Sequence, residues 1–78
     1  MTAGDELERN EKLAEAAYDA LYEAIPERAK DCFDDARMYF AKAIDAAKRA
    51  GLEDEVARLT ARLDHIVSVY NSQFRGVR

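Results

Sequence analysis

An all-α protein, an up-down-up bundle of three helices, is what this sequence predicts, and three observations predict it. Apolar residues recur at intervals of three and four over most of the chain. The breakers Pro26 and Gly51 divide it into three stretches of similar length. The charged residues on either side of Gly51 carry the signs that helix ends favour. The expected helices run over about 5–25, 26–50 and 53–74, within a single domain spanning 1–78.

The first helix is expected to open near Asp5, because Thr2 to Asp5 supplies capping residues and Asp5 stands three positions ahead of Glu8. Leu7, Ala14, Ala17, Tyr18, Leu21 and Ile25 form its stripe. That stripe is thin early on, where Asn10 and Glu11 take positions that apolar side chains would fill, so fraying of the first two turns is expected. Pro26 lacks an amide hydrogen and biases Ile25 towards extended backbone, so it ends this helix and starts the next. So short a connection makes antiparallel neighbours.

The second helix is the element the others are arranged around. Ala29, Phe33, Ala36, Phe40, Ala43, Ala47 and Ala50 lie on one side of it, widened by Cys32, Tyr39 and Ala46 on one edge and Ile44 on the other. A face that broad serves two partner helices, and its alanines allow close approach. Lys48, Arg49 and Gly51 form the pattern of a left-handed C-terminal cap, with Leu52 as its apolar contact. Glu53, Asp54 and Glu55 then open a third helix whose seam is Leu52, Val56, Leu59, Leu63, Ile66 and Tyr70, with Phe74 continuing it. The tail after Phe74 is expected to be loose.

At 78 residues, a single small core supplies only about 3–5 kcal/mol unless something else helps. The net charge of −4 disfavours nucleic acid and anionic membranes as partners, and two tail arginines, Arg75 and Arg78, are too few to hold a phosphate backbone. Charge is unevenly divided: residues 1–25 carry seven acids and two bases, 26–50 five and six, 51–78 four of each. The opening residues lack the basic-then-apolar pattern of a secretion signal, and a cytoplasmic location is expected.

Three features invite chemistry. Asp31, Asp34 and Asp35 share a helical face at a spacing that suits a divalent cation, but no second acidic cluster is identifiable opposite, and a solvated face is expected. His65, the lone histidine, falls on the outer side of the third helix with Arg58, Arg62 and Ser72, and lacks companion ligands or a phosphotransfer motif. Cys32 has no base at helical spacing and reads as a small apolar residue. No enzyme activity, cofactor or metal is expected; the alternative is a metal-binding or enzymatic bundle using the Asp31, Asp34 and Asp35 face or His65.

The run from Asp35 to Ile44 resembles the second helix of a tetratricopeptide repeat, whose Ala-x-x-x-Phe-x-x-Ala signature stands here as Ala36, Phe40 and Ala43. Tyr18, Leu21 and Ile25 match the large residues of the preceding helix, whereas Tyr22 takes the place of its small glycine and the repeat period does not recur. Microtubule-interacting-and-transport domains are similar in outline, with three helices and a similar middle helix. Both resemblances imply a groove that binds a peptide or a helix.

The expected function is therefore a noncatalytic protein–protein interaction module that pairs with itself or docks a partner helix, a homo-oligomer being the simpler case. Leu13, Tyr22, Met38, Tyr39 and Val69 lie on the edges or outer sides of their stripes and are the expected interaction residues.

Overall fold

Thr2, not Asp5, opens the first helix in the computed structural model, which describes residues 2–75, with side chains as far as residue 73. The Thr2 hydroxyl accepts from the Asp5 amide at 3.2 Å, and the Asp5 carboxylate accepts from the Thr2 amide at 3.4 Å. This reciprocal box satisfies two donors that a helix start otherwise leaves unpaired, so α1 runs Ala3–Glu23, two residues ahead of the expected start. It also ends two residues early. Ala24 and Ile25 are both extended, as the residue before a proline prefers, and Pro26 begins α2, Pro26–Arg49. Ile25 caps α2 at 61% exposure and is not part of the α1 stripe.

The end of α2 is a complete Schellman turn. Gly51 sits at φ 73°, its amide donates to the Lys48 carbonyl at 3.1 Å, and the Leu52 amide donates to the Ala47 carbonyl at 2.9 Å. A side chain at Gly51 meets no neighbour within 4 Å, so its only penalty is the left-handed backbone. Gly51→Ala is expected to lose about 1–2 kcal/mol in a urea titration, the usual cost of that conformation for an L-residue. Ala50, as the cap, and Leu52, 41% exposed ahead of α3, lie outside the core in which the apolar pattern put them. The chain turns too sharply there for either side chain to point inwards.

The third α-helix spans Glu53–Tyr70, and the chain continues through Asn71–Arg75 as a π-helical turn, because Asn71 keeps helical backbone angles and nothing at that point breaks the spiral. The expected single α-helix to residue 74 is thus an α-helix followed by a wider turn. The seam position expected of the Phe74 side chain, and residues 76–78 of the tail expected to be loose, lie outside what the structure describes.

Ion pairs give the directions of the helices. Arg49 at the end of α2 reaches Glu6 at the start of α1, so these two are antiparallel. Arg58 and Arg62 of α3 meet Glu11 and Glu15 of α1 in the same order, so α1 and α3 are parallel. This is the up-down-up arrangement, with no strand among the described residues. The contact of α1 with α2 is the most extensive, and α3 packs mainly on α2.

The core follows the predicted stripes. Leu21, Phe40, Leu59 and Ile66 are its largest fully enclosed side chains, one from α1, one from α2 and two from α3. Ala14 of α1 and Ala36, Ala43, Ala46 and Ala47 of α2 show no exposed surface, as small residues between close helices should. Phe33 and Tyr70 stack face to face with centroids 3.8 Å apart, tying the last turn of α3 to the first turns of α2.

Candidate functional site

Two seams surround α1, and they differ in chemistry. On the side away from α3, an open groove between α1 and α2 is lined by Glu6, Arg9, Asn10 and Leu13 of α1, and by Met38, Ala41, Lys42, Asp45 and Arg49 of α2. Helical geometry explains the apolar floor: Met38 lies two residues before the buried Phe40, about 200° around the axis, so a helix that buries Phe40 must present Met38 outwards. Leu13 and Met38 are 41% and 42% exposed. Arg49 closes one end by donating to Glu6 and to Asp45, and the Glu6 carboxyl is held below its ordinary value by that hydrogen bond and charge. The Asn10 side-chain amide donates to the Glu6 carbonyl, so this residue, which thins the apolar stripe, braces the helix through its own backbone.

On the other side, α1 meets α3 through an ionic ladder. Both Arg58 terminal nitrogens donate to Glu11, at 2.7 and 2.9 Å, while its Nε donates to Glu55. One turn along, Arg62 donates twice to Glu15, at 2.9 and 2.8 Å, and its guanidinium lies 5.2 Å from the Tyr18 ring centroid. The hydrogen bond from Arg58 holds the Glu11 carboxyl below its ordinary range. Burial, and then a 2.8 Å hydroxyl contact with Tyr22, push the Tyr18 phenol up to about 12.

This ladder corrects the sequence reading, which placed Arg58 and Arg62 beside His65 on the outside of α3. They face α1. The signal was present: Glu11 and Glu15 lie four apart on the most acidic stretch, and Arg58 and Arg62 lie four apart on α3. Glu11 is also one of the two residues that thin the apolar stripe, and its carboxylate is what the third helix meets there.

The five expected interaction residues do not form one patch. Leu13 and Met38 share the α1–α2 groove. Tyr39 is half-buried against the core with Lys42 over its ring. Tyr22, 52% exposed, stands edge-on to Tyr18 on the α1–α3 side. The ladder register of forty-seven residues, carried two turns further, sets half-buried Val69 opposite Tyr22. The other candidates stay apart as well. Asp34 is engaged by Lys30 at 2.8 Å, Asp31 and Asp35 are exposed beside it, and His65 is exposed on α3. Cys32 is half-buried against the core. Among the described residues no group of three or more histidine, cysteine or acidic side chains is gathered closely enough to hold a metal ion, and no helix is long and apolar enough to cross a membrane.

No protein-family model, curated protein or solved structure matches this chain.

Proposed function

We propose that this protein is a noncatalytic helical interaction module that associates with itself through the open face of its α1–α2 pair. One observation carries the reading: α3 covers a single side of that pair, and the opposite side presents Leu13 and Met38, each more than two-fifths exposed, in one groove with a charged rim. An apolar floor framed by charges is the usual composition of a docking surface, the floor supplying binding free energy and the rim selecting the partner. Added burial also stabilises a chain too short for a large core, at roughly 25 cal/mol per Å² of apolar surface covered. A foreign helix laid in the same groove is the heterotypic form of this reading. A cytoplasmic location belongs to the same proposal, supported by the unpaired thiol of Cys32, which a reducing compartment preserves.

Light scattering through a dilution series tests self-association. The mass is expected to exceed that of one chain at high concentration and to fall towards it on dilution, with a parallel drop in melting temperature. A single-chain mass at every concentration, with an unchanging melting temperature, refutes it.

A further inference from the structure

Met38 carries the only thioether among the described residues, and it stands 42% exposed on the floor of the α1–α2 groove. Leu13 is the other large apolar side chain lining that groove, with the small Ala41 beside them. The apolar floor therefore rests on two side chains, and one of them presents a sulfur to solvent. The other sulfur described, that of Cys32, is half-buried against the core. A thioether turns from apolar to polar by transfer of a single oxygen atom, and at Met38 that change falls on a surface groove and leaves the enclosed core untouched.

Resting on the reading that this groove is the docking face, we propose that Met38 is a reversible oxidation site that switches association off. The oxidant is a peroxide, either hydrogen peroxide or an organic hydroperoxide. A sulfur lone pair attacks the terminal peroxide oxygen, and the S–O bond forms as the O–O bond breaks. The proton on the transferred oxygen passes to the leaving one, which departs as water or an alcohol. Sulfur gives up two electrons and the peroxide takes them. Return consumes two thiols, which become a disulfide while the sulfoxide oxygen leaves as water, and the reducing compartment proposed above supplies such thiols. The sulfoxide oxygen is a strong acceptor, so a partner closing over it leaves a polar group buried beside Leu13. In the open chain the same oxygen faces water. Protection also runs the other way: a docked partner covers the sulfur, so association slows the reaction and oxidation captures the dissociated chain.

Hydrogen peroxide added to the native chain and to Met38→Leu tests this, with light scattering for mass and peptide mass spectrometry to separate Met38 from Met1, the only other methionine. The native chain should lose association about tenfold or more in step with sulfoxide formation at Met38. It should regain association when treated with dithiothreitol and the two methionine sulfoxide reductases, one for each epimer. Met38→Leu should associate as the native chain does and ignore peroxide. Met38 should oxidise more slowly at high chain concentration than at low, and the oxidised single chain should melt where the unoxidised one does. A native chain that associates and keeps its mass after Met38 is oxidised overturns the switch while leaving self-association standing. A Met38 that reacts at one rate across all concentrations of an associating chain does the same. Dissociation of Met38→Leu by peroxide would assign the effect to Cys32 and also overturns it. A native chain of single-chain mass at every concentration removes the docking reading, and the switch with it.

Discussion

Phe40→Ala is expected to unfold the protein. The Phe40 side chain has no exposed surface, sits at the middle of the helix that touches both others, and is the largest enclosed group in the core. Truncating a buried phenylalanine costs about 3–5 kcal/mol through lost transfer free energy and the cavity left behind. A chain of 78 residues has only about 4–12 kcal/mol to lose, and a small alanine-rich core sits at the lower end of that range. The alanines around Phe40 deepen the loss, because Ala36 and Ala43, one turn away on either side, have no side-chain length with which to fill the void. Met38→Ala is the matched control, two residues away and pointing out of the bundle. In urea titrations at concentrations where the chain is a monomer, it should cost well under about 1 kcal/mol. Equal losses for the two substitutions would mean that α2 presents a different face to its neighbours.

The contrast between these two residues shows why much of the fold was legible. A helix imposes a 3.6-residue period on which side chains share a face, so the buried stripe of α2 could be read from Ala29, Phe33, Ala36, Phe40, Ala43 and Ala47 alone, and each of these is buried. The glycine cap at residue 51 and the proline start at residue 26 were legible for the same local reason. The errors sit where local rules compete. Thr2 and Asp5 both suit a helix start, and the reciprocal hydrogen bonds that decide for Thr2 depend on geometry that spacing alone does not rank. Ile25 and Leu52 continue their stripes in number, but the chain has left the helix at both positions, so periodicity extended through a turn misplaces them. The candidate site was legible only in part. Exposed Leu13 and Met38 could be found as apolar residues off the stripe, whereas their meeting in one groove depends on the register between α1 and α2. The Arg58 and Arg62 pairings likewise needed the register between α1 and α3, which no property of either helix alone contains.

Reversing the ladder should be the most damaging change available on the surface. With Arg58→Glu and Arg62→Glu together, two doubly hydrogen-bonded rungs disappear and acids face acids along the α1–α3 seam, with Glu55 adding a further like charge beside Glu11. A partly exposed rung contributes about 0.5–1 kcal/mol, and like-charge opposition costs a similar amount, so the two rungs amount to about 2–4 kcal/mol. The loss falls on α3, which packs on α2 through Leu59, Ile66 and Tyr70 but relies on these arginines to span the distance to α1. Adding Glu11→Arg and Glu15→Arg should restore most of the stability, because the rungs re-form with their signs exchanged. Loss without rescue would show that Arg58 and Arg62 act through their packing, such as the contact of Arg62 with Tyr18. Acid should weaken the same ladder in the native chain. Folding lowers the Glu11 pKa from its ordinary value of 4.5, so the stabilisation from that rung is fully present above 4.5 and is lost as pH falls through the lowered folded value. Urea midpoints followed downwards from neutral pH should therefore decline more gently in Glu11→Gln than in the native protein, and the difference between the two chains should shrink at high salt as the exposed charges are screened. An acid decline identical in both would remove Glu11 from the account of how α3 is held.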